Sequence, residues 1–249
     1  MKGVVEAMLS RGYSSTLGSR VMAGRTLVLA YHNVLPDDTD LRGDMSLHMP
    51  RPTFAEHLDL LMERCDVIPL EQMQAEPRSS ARPRVVVTFD DAYFGAVNLG
   101  IAELTRRRLP ATIFVAPGLL GQSSLWWDEL AAGLSSGEFE AYRAGWLAEL
   151  EGDSDRIREA AAALRTASAL RIDCVRTATE DELAWAAQQP GITVAAHSWS
   201  HPNLSRVSPQ RLQQELRTPL DWLQSRYRSF IPWLAYPEGR YSADGVQQA

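Results

Sequence analysis

The sequence predicts an α/β fold built on a parallel sheet, and three observations carry that prediction. Four short apolar runs, Leu27 to Tyr31, Val85 to Phe89, Ala111 to Ala116 and Ile192 to Ala196, have the length of strands buried on both faces. Helical patterns alternate with them, as the crossovers of a parallel sheet require. One connection, from Pro117 to Ile192, is far longer than a crossover needs and reads as a helical insertion at about residues 118–190. The chain stops at Ala249, short of the strands that a closed barrel needs. The expected architecture is therefore a deformed, incomplete (β/α) barrel with a helical insertion. With 249 residues, 45% of them hydrophobic, the chain suits one domain over 1–249.

The elements follow in order. Residues 4–22 form a weak amphipathic helix, read as a packing helix or a frayed terminus rather than a membrane contact. Thr53-Phe54-Ala55-Glu56 has the form of a capping box opening a helix to about Cys65. Ala96 to Arg107 reads as a second helix, with Arg106, Arg107 and Arg108 complementing its C-terminal dipole. Trp126 to Gly152 and Asp155 to Leu170 are the helical stretches of the insertion. Thr179 to Glu182 is another capping box, and its helix stops before Pro190. Ser208-Pro209 supplies an N-cap and a first-turn proline. The helix that follows places Leu212, Leu216, Leu220 and Leu223 on one face, with Pro219 expected to kink it. A fifth strand is expected at Trp233 to Tyr236, and a helix begins in Ser242 to Ala249.

Composition excludes several functions. The net charge is −6 with no basic stripe, so no nucleic-acid partner is expected. Cys65 and Cys174 match no zinc spacing and make no disulfide framework. Glu6 interrupts the N-terminal apolar residues, so no signal peptide is read, and no run reaches the length of a membrane span. The expectation is no stable membrane insertion and a cytoplasmic location.

The chemistry gathers at one edge. In parallel α/β folds, ligands bind beyond the carboxyl ends of the strands. Here the first strand ends in Tyr31-His32, the second in Asp90-Asp91, and the fourth in His197, with His201 four residues on. His48 and His57 fall elsewhere. One carboxylate and two imidazoles suit a metal, and the second carboxylate is a spare base. Taken singly, each piece has a plainer reading: an aspartate pair as a helix N-cap, a lone histidine as a bonded core residue. A two-histidine, one-carboxylate triad also suits non-haem Fe(II) oxygenases. Those grip a co-substrate carboxylate with a basic residue, and only Arg240 stands near these motifs.

Thr88-Phe89-Asp90-Asp91-Ala92-Tyr93 resembles the TFDDG motif of the polysaccharide deacetylases, the NodB-homology or carbohydrate esterase family 4 group. His197-Ser198-Trp199-Ser200-His201-Pro202-Asn203-Leu204 resembles that family's H-[ST]-x-x-H motif, and Ala235-Tyr236-Pro237-Glu238-Gly239 its third motif. Tyr31-His32, Ala111-Thr112-Ile113-Phe114-Val115 and Trp126-Trp127-Asp128 resemble the exopolysaccharide-cluster branch. The resemblance covers roughly residues 26–245 and implies a metal-dependent hydrolase. Such an enzyme removes acetyl groups from N-acetylhexosamine units of a polysaccharide or glycan precursor. It implies that Asp91, His197 and His201 bind a divalent metal, usually zinc, and that Asp90 is the general base. It implies that the backbone N–H of Glu238 helps hold the oxyanion, and that His32, Tyr236 and Pro237 contact substrate. Trp126, Trp127 and Trp199 are candidates for stacking on sugar rings, with core packing the alternative.

Three departures from the family pattern stand out. Ala92 replaces the usual glycine, which strains any turn needing positive φ. Ala235 or a neighbour stands where the third motif often carries an arginine. The family's later segments, with a tryptophan wall and a histidine general acid, would lie beyond Ala249. The competing reading is thus a truncated, inactive metal- or carbohydrate-binding fragment.

Overall fold

Continuous apolar runs need cover on both faces, and the runs at Val85, Ala111 and Ile192 receive it, whereas Val28 in the run Leu27 to Tyr31 is 45% exposed, so that strand is covered on one face only. The computed structural model describes residues 26–37, 39, 44–75, 82–163 and 173–241. The strands are β1 (Thr26–Tyr31), β2 (Asn33–Leu35), β3 (His48–Pro50), β4 (Asp66–Val67), β5 (Arg84–Phe89), β6 (Ala111–Val115), β7 (Ile192–Ala196) and β8 (Phe230–Leu234), with helical elements between consecutive strands from β3 onward. Every pairing is parallel, and the main sheet runs β1-β5-β6-β7-β8 with β4 beside the start of β5. β2 and β3 form a separate parallel pair. Among the described residues β1 and β8 do not pair with each other, so the sheet is open. A deformed, incomplete barrel describes it.

The two sheet faces differ. Val85, Val87, Phe89, Ile113, Val115, Val194 and Ala196 face the large core, where the helices pack. Val86, Phe114, Ala195 and Ile231 form a small cluster on the other face, with Leu70. On that same face lies a polar rung, in which Thr112 Oγ1 and Thr193 Oγ1 meet at 2.9 Å.

The helices are α1 (Arg51–Arg64), α2 (Ile101–Arg107, entered through a π-turn at Ala96–Gly100), α3 (Trp126–Gly133), α4 (Ser136–Glu149), α5 (Ser154–Ala163), α6 (Glu180–Ala187) and α7 (Pro209–Arg226). α6 begins with the expected box, in which Thr179 N donates to Glu182 and Glu182 N donates to Thr179 Oγ1. Ser208 caps α7 as expected, and the helix runs through Pro219. The π-turn into α2 passes very close to β2: a Cβ on Gly95 would lie 1.9 Å from the Val34 carbonyl oxygen. That crossing tolerates only glycine.

Three expectations are corrected. α1 starts at Arg51, not after Thr53, because Pro50-Arg51-Pro52 already sets helical φ and Pro52 fills the first turn. The stretch Trp126 to Gly152 is two helices, since Ser135 N bonds the Glu138 carboxylate and starts a new helix. The last strand covers Phe230–Leu234 rather than Trp233 to Tyr236. The expected helices at 4–22 and Ser242 to Ala249, and the end of that at Asp155 to Leu170, lie outside the described residues. Among the described residues, no helix is long and apolar enough to cross a membrane.

Candidate active site

The carboxyl ends of β1, β5 and β7 meet as parallel register demands. Tyr31 pairs with Phe89, and Val115 pairs with Ala196. His32, Asp90, Asp91 and His197 are the residues just past those ends. His201 returns to the same point because the loop after β7 curls back, with Ser198 Oγ accepting from His201 N at 3.0 Å.

The backbone there is strained. Asp91, Ala92, Ser198 and His201 have φ of 66°, 50°, 61° and 57°, the left-handed region that disfavours side chains. The strain expected at Ala92 is thus present. Its neighbour Asp91 shares it.

Asp91, His197 and His201 converge. One ligand atom from each lies within 4.8 Å of the other two, and all three residues are buried. Asp91 Oδ1 is 3.5 Å from His197 Nε2 and 3.3 Å from His201 Nε2. His197 Nδ1 donates to the Ala235 carbonyl at 2.9 Å, which leaves Nε2 as a lone pair facing the carboxylate. Asp91 Oδ1 is buried without a hydrogen-bond donor. With no hydrogen bond joining Asp91 Oδ1 to either ring, a cation among these three ligand atoms would satisfy the buried oxygen. The residues therefore fit a divalent metal, and their imidazole and carboxylate donors are those that zinc accepts.

Burial sets the protonation states of the cluster. It lowers His197 to about 4 and His201 well below the usual imidazole value, so both rings are neutral, as ligands must be. It pushes Asp91 well up, reinforced by Asp90, Glu238 and Asp128. Asp90 rises to about 6 through burial, with His32 opposing the rise. Its Oδ2 lies 4.0 Å from His32 Nε2.

A cavity of about 340 Å³ opens on these groups, of a size to take a sugar unit. His32, Asp90, Asp91, His197, His201, Tyr236 and Glu238 line it, whereas Pro237 is buried in the turn and is not part of the wall. Glu238 itself has φ of 56°. The insertion contributes the far side. Phe139, Glu140 and Arg143 of α4 line the cavity, and Arg143 pairs with the Glu238 carboxylate. Burial raises the Glu238 carboxyl, and the Arg143 guanidinium works against that rise.

Sequence reasoning missed a second layer. His48 is no bystander: its Nε2 lies 3.0 Å from Asp128 Oδ1. The Tyr93 hydroxyl donates to Asp128 Oδ2 at 2.8 Å, and Trp127 Nε1 donates to that hydroxyl at 2.7 Å. Trp127 lines the cavity, while Trp126 is 2% exposed and belongs to the core. The signal available was Trp126-Trp127-Asp128 as a unit, but its partners lie far off in sequence. Arg143 offered no signal, since nothing in the sequence of α4 ties its one arginine to Glu238, 95 residues on.

Comparison with known proteins completes the picture. No curated protein sequence matches the chain. Among solved structures, the Streptococcus pyogenes deacetylase PplD in complex with acetate is 18% identical with a TM-score of 0.56, covering 90% of this chain and 77% of that one. IcaB from Ammonifex degensii is 15% identical with a TM-score of 0.58, covering 90% and 79%. The de-N-acetylase from Aggregatibacter actinomycetemcomitans is 16% identical with a TM-score of 0.57, covering 90% and 84%. These likenesses establish the fold. Residues 78–249, well over half of the sequence, match the family model described as polysaccharide deacetylase, and the chain belongs to that family of carbon–nitrogen hydrolases.

Proposed function

We propose that this deacetylase removes acetyl groups from N-acetylhexosamine units of a polysaccharide or glycan precursor, using a divalent metal held by Asp91, His197 and His201. Zinc is the ion that this donor set suits best. The observation that carries the reading is the convergence of three buried ligand atoms, with Asp91 Oδ1 lacking any donor. When bound, the ion polarises the acetyl carbonyl and makes a water nucleophilic near neutral pH.

The chain's own groups do the rest. Asp90 is adjacent to Asp91 but points to the cavity beside His32, so its carboxylate is free to accept a proton from the attacking water. Asp90, having taken that proton, is the group that returns it to the departing amine nitrogen, with His32 beside it on the same side of the cavity. Tyr236 and Glu238 border the cavity, which supports assigning the Glu238 N–H as the donor to the developing oxyanion. Tyr236 and Trp127 supply apolar walls that suit a pyranose ring. The inserted helices α3 and α4 belong to the same catalytic unit in this reading, because α4 forms part of the wall. Balanced, the reaction adds water across the amide and yields acetate and the free amine.

The test is acetate release from an N-acetylglucosamine oligomer by the purified chain. Release with zinc that stops on chelation supports the reading. Tight zinc binding with no release from N- or O-acetylated glycans would favour the inactive carbohydrate-binding fragment.

A further inference from the structure

Both histidines of the candidate metal site ride on one loop, and that loop is held from outside the cavity. Glu215 lies on α7, is 5% exposed, and has its carboxylate directed at the loop. Its Oε2 accepts from Trp199 N at 2.9 Å and from Ser200 N at 2.8 Å, and its Oε1 accepts from Ser200 Oγ at 2.6 Å. Trp199 and Ser200 are two of the three residues between His197 and His201. We infer that Glu215 is a positioning residue for the metal site, a carboxylate anchor that sets metal affinity by fixing the loop that carries His197 and His201.

The physical case rests on strain. Ser198 and His201 hold φ of 61° and 57°, and non-glycine residues persist there only where surrounding bonds over-determine them. A free loop would relax towards ordinary φ and carry the His201 ring away from Asp91. Three bonds to a buried carboxylate oppose that relaxation, and bonds to a charged acceptor are the strong kind. Gly118 N donates to the Trp199 carbonyl at 2.8 Å and closes the loop on its other side, but it touches neither amide that Glu215 holds. Arg211 stands one turn earlier on α7, with its Nε 3.7 Å from Glu215 Oε1. Glu215 reaches none of the cavity, so its role is exerted through the loop alone.

The inference rests on the metal reading above, and zinc affinity rather than turnover tests it. Zinc is titrated into chelator-stripped protein against a chromophoric competitor, with the melting temperature of the metal-free protein recorded beside it. Glu215→Ala should weaken zinc by about 10–100-fold, the usual worth of a group that orients metal ligands. Glu215→Gln keeps an acceptor for both amides and should recover affinity to within about 3-fold of wild type. Ser200→Ala removes one bond from a half-buried residue and leaves α7 untouched; it should weaken zinc by about 3-fold. Wild-type affinity in Ser200→Ala overturns the anchor even if Glu215→Ala does not fold. Wild-type affinity in a folded Glu215→Ala, or a Gln variant as weak as the Ala variant, also overturns it. A wild-type chain that binds no zinc overturns the metal reading itself.

Discussion

Trp127 packs its ring against His201, centroid to centroid at 4.8 Å, while its Nε1 donates to the Tyr93 hydroxyl. The indole is thereby fixed at both its face and its edge, and the imidazole it supports cannot turn without displacing it. Tyr93→Phe would leave Trp127 Nε1 and one Asp128 oxygen without their partner in a buried setting. The expected cost is about 1–3 kcal/mol of folding stability. Urea unfolding of chelator-treated protein measures it, and a loss below a few tenths of a kcal/mol would contradict the role given to this hydroxyl.

The two aspartates separate by metal content. Asp91→Ala should lose both zinc and acetate release. Asp90→Asn should keep zinc and lose about 10²–10⁴-fold in rate, the usual worth of a positioned base. Atomic absorption beside an acetate assay decides between them. If Asp90→Asn lost metal and Asp91→Ala kept it, the roles would be exchanged.

Much of this was legible in the sequence, and what was legible follows a physical pattern. β5, β6 and β7 are buried on both faces, so they appear as unbroken apolar runs, and the residues just past them mark the candidate site. β8 was misplaced because Pro232 reads as a strand breaker. On an edge strand the missing N–H costs no ladder bond, and Pro232 is exposed there. The break between α3 and α4 was missed because Ser135 and Glu138 look like ordinary surface residues until the box closes. Glu215, Arg143 and the pairing of His48 with Asp128 were not legible because nothing local ties Glu215, Arg143 or His48 to the motifs. Only the fold brings them there.

Arg108 ends α2 in the left-handed conformation, with φ of 56°, and is exposed. Glycine pays no side-chain penalty at that position. Arg108→Gly should therefore stabilise the protein by about 0.5–1 kcal/mol. Thermal melting at neutral pH reads it, and a fall in melting temperature would show that the arginine makes a compensating contact.

The capping carboxylate of α6 gives a pH prediction. The Arg176 guanidinium, hydrogen-bonded to Glu182, holds that carboxyl below its ordinary value. A depressed carboxyl stabilises the fold above its unfolded pKa of about 4.3 and loses that contribution as pH falls through the folded value. Glu182→Gln should therefore cost about 0.5–2 kcal/mol at pH 7, since the cap and ion pair weaken together. The gap between variant and wild type should close as the pH falls below 4. Denaturant titrations at the two pH values test this, and a gap that widened in acid would reverse the sign.

Asp91 and His197 are separated by the whole of α2, β6, α3, α4, α5, α6 and β7. A cation gripping both ends would staple a loop of roughly a hundred residues, and closing so long a loop removes much of the freedom of the unfolded chain. Loading would then act as a reversible cross-link as well as a source of reactivity. Slow hydrogen exchange should spread from the β5–β7 edge into the inserted helices when zinc is added, and the same segments should be the first that a protease reaches when it is withdrawn.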